Sequence, residues 1–408
     1  MSRIKLILAL ALVAVAGCSK NELVADGVLQ DKVPMSFGVY ARTLKTSPAA
    51  KDGSSSQAMK GAATKAGSSY IETGTVLPDD SHFGVFAFYQ EGTIGSYTGV
   101  WADQDSRLWT PNFMFNQDVR YNGSGALSGE NYKYSPMRYW PANEENTLSF
   151  WAYYPYSAYS TDNSGVLQFF SDASCTTAYS STSINGLPVA KYTVPASPSA
   201  QEDIMFDSFA NTDKTWDNCT PTKGTVPFTF RHALCAVRFK VEMPSGAGNQ
   251  GSLDEMEGTS YKNDYDFKFN TLVVKNLPQT GICASPGSAT ISWAASGSMD
   301  VASTDYDRAN FCTETFLLLP ATLGDDITVD AEMEIHFRAE DDPDNRAADL
   351  VYPFKVENLK LNAATDGPSS WVAGTRYTYT FKLSLDRIEF SASTGDWDTP
   401  IQEVTITE

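Results

Sequence analysis

Leu148-Ser149-Phe150-Trp151-Ala152-Tyr153-Tyr154-Pro155 is the densest aromatic run in the chain, and its alternation decides the fold. Leu148, Phe150, Ala152 and Tyr154 fall on one side of an extended strand, with Trp151 and Tyr153 on the other, so both faces need cover. Large rings bring apolar area at low entropic cost. Core packing is therefore the first reading, and a carbohydrate-stacking platform the sharper alternative. Working outward, residues 82–89 form a second aromatic and β-branched run, bounded by Pro78-Asp79-Asp80 and Glu91-Gly92, and read as a buried strand. Residues 101–145 read as long loops with short strands. Further strands are predicted at 226–241, 266–275, 289–293, 314–319, 327–338, 350–356 and 377–385. Turn residues separate them at short intervals, and no helical pattern exceeds two turns. This argues an all-β sandwich in each half. A cluster of Asn, Thr, Asp and Pro between Phe209 and Gly224 sets the division into domains at 70–215 and 216–408.

At the start of the chain, Arg3 and Lys5 precede an apolar run from Leu6 to Ala16 and then Ala16-Gly17-Cys18. The run is too short for a stable bilayer span and ends in small residues before a cysteine, so 1–17 reads as a cleaved lipoprotein signal peptide. Cys18 then carries lipid, and 18–32 is the tether. Each buried methylene adds about 0.8 kcal/mol, so several acyl chains anchor stably. Loss of Arg3 and Lys5 takes the formal charge from −19 to about −21. So negative a chain repels polyanions, which excludes nucleic acid as a partner.

Val33, Met35, Phe37 and Val39 alternate along 33–40, a half-buried strand that Pro34 confines to a sheet edge or margin. From 41 to 69 aromatics give way to Ala, Ser, Gly and Lys, with Arg42, Lys45, Lys51, Lys60 and Lys65 against Asp52 alone. That composition reads as a flexible, exposed linker open to proteases.

No pattern nominates an enzyme. His82, His232 and His336 lie in or beside strands and read as structural residues, and the chain has no HExxH, GxSxG or phosphate-cradling glycine loop. Asp341-Asp342-Pro343-Asp344-Asn345 lacks the glycine and distal glutamate of a calcium loop and reads as a solvated hairpin turn. Cys175, Cys219, Cys235, Cys283 and Cys312 show no metal-type spacing, and Cys235 sits in an apolar run as a small buried hydrophobe. No metal and no cofactor is expected.

In order along the chain, several of these segments resemble the fimbrillin family of type V pilins. They are the Cys18 signal, strand 33–40 with its small-residue linker, Phe83-Gly84-Val85-Phe86-Ala87, and Tyr139-Trp140-Pro141 with the 148–155 run. Gln201-Glu202-Asp203-Ile204-Met205, Phe230-Arg231-His232-Ala233-Leu234 and Ala373-Gly374-Thr375-Arg376-Tyr377-Thr378-Tyr379, closing at Trp397, complete the set. The resemblance implies two transthyretin-like β-sandwich domains of Greek-key type. It also implies a surface-exposed subunit of an outer-membrane fimbrium that contributes to adhesion. A trypsin-like protease removes the first strand, and a strand from a neighbouring subunit replaces it. In the family the cut follows a basic residue in the linker, commonly ahead of an alanine. Thr64-Lys65-Ala66 is the match, with lysine in place of the usual arginine; an arginine-specific protease would prefer Arg42. The implied partners are other fimbrial subunits through strand addition, the outer membrane through lipid on Cys18, and a host glycan or protein as ligand.

If Val33, Met35, Phe37 and Val39 are all buried, losing them forfeits roughly 6–12 kcal/mol, an upper estimate. The vacancy leaves an open edge and apolar pockets for another chain's strand. The tail 399–408 is the donor candidate: Val404 and Ile406 share a face, and Ile401 joins them only through a bulge. The same tail is also able to finish this chain's own second sandwich. Two other classes remain. One is a surface glycan-binding lipoprotein stacking sugars on Trp101, Trp109, Trp140, Trp151, Trp293 or Trp371; the other is a β-sandwich hydrolase with converging carboxylates.

Overall fold

The computed structural model describes residues 35–41, 77, 81–90, 110–121, 132–140, 147–158, 165–183, 186–207, 225–242, 265–288, 290–303, 306–307, 312–337, 350–364, 367–383 and 388–396. In chain order the strands are β1 (Ser36–Ala41), β2 (His82–Gln90), β3 (Met114–Tyr121), β4 (Tyr132–Lys133), β5 (Thr147–Tyr154), β6 (Leu167–Phe170), β7 (Val189–Thr193), β8 (Met205–Asp207) and β9 (Thr225–His232). There follow β10 (Cys235–Glu242), β11 (Tyr265–Leu277), β12 (Thr280–Cys283), β13 (Ala294–Ser296), β14 (Met299–Ser303), β15 (Tyr306–Asp307) and β16 (Cys312–Thr313). The last five are β17 (Phe316–Leu318), β18 (Thr328–Phe337), β19 (Leu350–Lys360), β20 (Thr375–Leu383) and β21 (Ile388–Asp396). Helical structure among the described residues is limited to single 3₁₀ turns such as Pro198–Ala200 and Leu361–Ala363. The chain is all-β, as its alternation predicts.

The first sandwich packs a seven-stranded sheet, ordered β1-β9-β8-β5-β2-β3-β4, on a four-stranded sheet, ordered β13-β12-β7-β6. β5 lies inside the larger sheet and is buried on both faces. Trp151 and Tyr153 meet Phe169 of β6 edge-on at 5.7 and 4.7 Å, while Phe150 on the opposite face meets Phe37 of β1 at 6.3 Å. The sheet also curls on itself. β1 and β4 lie at opposite ends of its order, yet the Met35 N–H just before β1 donates to the Arg138 carbonyl just after β4, at 3.0 Å.

Gly84 of β2 is the register partner of Tyr153, and a Cβ there would overlap the tyrosine ring, which Asn116 and Ser157 hold through its hydroxyl. Gly84→Ala is expected to cost about 1–3 kcal/mol by overpacking, read as a lower denaturant midpoint.

The second sandwich packs β15-β16-β10-β20-β21, with β17 also on β10, against β14-β11-β18-β19. Its layers meet where Phe269 of β11 touches Phe381 of β20 at 6.2 Å, and within the first of these sheets Phe239 stacks on its register partner Tyr379 at 5.4 Å. Its edge strand β19 carries Pro353, Lys355, Glu357 and Lys360 and has a bulge of its own between Val356 and Leu359, opposite Val329 and Ala331. Proline, charge and a bulge are what blunt an edge against further pairing.

The run predicted as one strand over 226–241 is two strands in two different sandwiches. β9 ends at His232, the turn residues Ala233 and Leu234 are fully buried, and β10 begins at Cys235. Apolar residues continue through the turn because it lies inside the molecule, so the sequence shows no polar break there. Residues 290–293, part of a predicted strand, belong to none. Trp293 is buried against Tyr192 and Phe206, its indole N–H donating to the Ala233 carbonyl at 2.7 Å, and pairing starts only with β13.

Two more bonds lock the joint: Ala233 N–H to the Ile204 carbonyl at 2.7 Å, and Gly374 N–H to the Leu234 carbonyl at 2.8 Å. The sheets interleave across the expected division at 215/216, since β9 pairs with β8 and β12 pairs with β7. Cys235 is fully buried, its thiol donating to the Leu318 carbonyl at 3.2 Å.

Candidate functional site: the groove of the first strand

β1 forms one edge of the seven-stranded sheet and runs parallel to β9 in a six-pair ladder from Ser36↔Thr225 to Ala41↔Phe230. An edge placement suits a segment that begins beside Pro34. β9 carries its own proline, Pro227, opposite Gly38 in the ladder. On the other flank of β9, the Asp207 carboxylate accepts the Thr229 N–H at 2.7 Å, which continues the contact beyond the three-residue β8.

The interior of the groove is aromatic. Phe37 has no exposed surface and lies among Tyr134 at 5.2 Å, Phe228 at 5.5 Å, Phe150 at 6.3 Å and Phe83 at 6.4 Å. Phe228 stacks while Phe83 and Phe150 present edges, arrangements that add to simple area burial. Met35, two residues earlier on the same face, is 1% exposed. Both of its backbone polar groups are engaged, the N–H by the Arg138 carbonyl and the carbonyl by the Tyr134 hydroxyl at 2.9 Å. The Arg138 N–H donates to the same hydroxyl at 3.3 Å. Burial raises the Tyr134 phenol above the ordinary tyrosine pKa, so it keeps the proton it donates. Tyr134→Phe keeps the ring and removes the hydroxyl's bonds to the Met35 carbonyl and the Arg138 backbone. It is expected to cost about 1 kcal/mol, seen as roughly fivefold faster amide exchange in β1.

Of the residues singled out from the sequence, the groove brings together Met35 and Phe37, and Val39 stands opposite Phe228 in the ladder. Cys18, Val33, Arg42, Lys65, Ala66, Ile401, Val404 and Ile406 lie outside the described residues, as do Trp101 and Trp109. Trp140, Trp151, Trp293 and Trp371 are all buried, at 9% exposure or less, and present no open ring face to a sugar. His82 and His232 each bond a carboxylate, Asp118 at 3.0 Å and Asp203 at 2.9 Å. Among the described residues, no group of three or more His, Cys, Asp and Glu is placed to hold a metal ion. What surrounds β1 is a main-chain ladder along one edge and an apolar pocket that takes Met35 and Phe37.

Sequence reasoning missed Tyr134 and Arg138. They follow a two-residue strand in a stretch rich in Asn, Gly and Pro, where no periodicity marks them.

Fold and groove together define a tandem β-sandwich protein whose first sandwich has β1 at one edge. The chain belongs to the Fimbrillin-like family, whose model matches residues 64–397. It is 23% identical over 235 residues to the fimbrium subunit Fim1C of Phocaeicola vulgatus, an alignment covering 57% of this chain and 49% of that protein. The chain thus spans about half the length of that curated relative. A crystal structure of a fimbrial protein from Bacteroides vulgatus superposes with a TM-score of 0.51 at 18% identity, covering 77% of this chain and 92% of that one; it shares the fold. The tip fimbrial protein Mfa3 of Porphyromonas gingivalis aligns over 78% of this chain and 95% of its own at 10% identity, with a TM-score of 0.31, too distant to carry an argument.

Proposed function

We propose that this chain is a structural, non-catalytic subunit of a cell-surface fimbria that contributes to adhesion. It reaches the outer membrane as a lipoprotein through Cys18 and is assembled by protease-triggered strand exchange. Cleavage in the linker 41–69, after Lys65 and ahead of Ala66 or else after Arg42, frees residues 33–40 from the body. A strand of another fimbrial subunit then takes the place of β1, and the tail 399–408, with Ile401, Val404 and Ile406, is this chain's own candidate donor.

One observation carries the reading. β1 is an edge strand whose second residue, Phe37, is fully buried, so its departure opens a backbone edge and an aromatic pocket at once. Unpaired edges and apolar vacancies of this kind recruit strands from other chains. The blunted edge of β19 is unsuited to the same use.

The test is immunogold labelling of producing cells with antibody against the second sandwich. Label along surface filaments, and the chain recovered in sheared filaments, is the expected result. Label confined to the cell body would point instead to the surface glycan-binding lipoprotein.

A further inference from the structure

The groove around β1 reads side-chain identity at a fixed position, a property separate from its capacity to accept a strand. Tyr134 and Arg138 bond both backbone polar groups of Met35, which fixes one residue of any occupant against the end of the groove. The parallel ladder with β9 fixes the residues that follow. The second residue after the pinned one must then enter the pocket that Phe37 fills, walled by Tyr134, Phe228, Phe150 and Phe83. A slip of one residue would turn that side chain to the opposite face.

The segment 401–408 contains no aromatic residue. Its best alignment sets Val404 at the place of Met35 and Ile406 at that of Phe37, so both positions receive smaller side chains and Glu408 comes next on the same face. Every other alignment brings Gln402, Glu403, Glu408 or a threonine into one of the two buried positions. We infer that this groove selects a replacement strand carrying an aromatic side chain two residues after the one held by Tyr134 and Arg138, a feature the segment 401–408 lacks. The inference rests on the strand-exchange reading above and names the partner's chemistry.

The test uses the full chain with a recognition site for a sequence-specific protease inserted between residues 46 and 64, cut only after folding. Fluorescent peptides then compete for the groove: the 33–40 sequence, its Phe37→Ala and Phe37→Tyr versions, and the 401–408 sequence. The expected order is the native and tyrosine peptides strongest, the tail peptide at least about tenfold weaker, and the alanine peptide at least about 100-fold weaker. A tail peptide that binds as tightly as the native one overturns the selection while leaving strand exchange intact. If even the native peptide never displaces the cut fragment, strand exchange at this groove fails and the inference falls with it.

Discussion

Phe37→Ala in the uncut chain is expected to lower stability by about 3–5 kcal/mol, the range for truncating a fully buried phenylalanine. The ring has no exposed surface and meets four aromatic neighbours, each on a different segment of the first sandwich. Its removal leaves a void that those neighbours close only by moving strands held in register. Phe83 and Phe150 belong to β2 and β5, which pair with each other, and Phe228 belongs to β9, paired to β8 at its far end. The loss has a particular location. β1 is held by one ladder and by the bonds to Met35, so amide exchange should first accelerate across 35–41, while β20 and β21 in the second sandwich keep their protection. Equilibrium unfolding followed by both tryptophan fluorescence and amide exchange checks this. A change under 1 kcal/mol would mean that the pocket does not need its ring.

Tying β1 to β9 is expected to slow strand replacement by at least about 100-fold. Ser36 and Thr225 are register partners, and neighbouring strands lie about 4.8 Å apart, within the Cα separation a disulfide spans. With both residues changed to cysteine and oxidised, the cut fragment remains attached and competes at millimolar effective concentration against any free peptide. Reduction should restore exchange to the rate of the unmodified chain, and either single substitution alone should leave it unchanged. Equal rates in the oxidised and reduced forms would show that peptides bind somewhere other than the place of β1.

The strands legible in the sequence were those with alternation or dense rings, such as β2, β5 and β20, because burial on one or both faces leaves a period-two imprint. The burial of Met35 and Phe37 and the edge position of their strand were legible for the same reason, with Pro34 as the second clue. β3, with the sequence Met-Phe-Asn-Gln-Asp-Val-Arg-Tyr, was not: its middle is polar, and pairing with β2 holds it in the sheet. The parallel partnership of β1 and β9 joins segments nearly two hundred residues apart and leaves no local signature, and neither does the placement of β10 beside β20. Tyr134 and Arg138 act through one hydroxyl and one backbone carbonyl, so their residue types carry little of their role. The buried turn at Ala233 and Leu234 was hidden by its own burial, since an interior turn is spared the polar composition that marks exposed ones.

The most direct measurement is N-terminal sequencing and peptide mapping of this chain recovered from sheared surface filaments. The account predicts a chain that starts within residues 43–66, lacks 36–41, and carries a strand of another subunit cross-linkable to β9. An assembled chain that still contains 36–41 paired to β9 would contradict it.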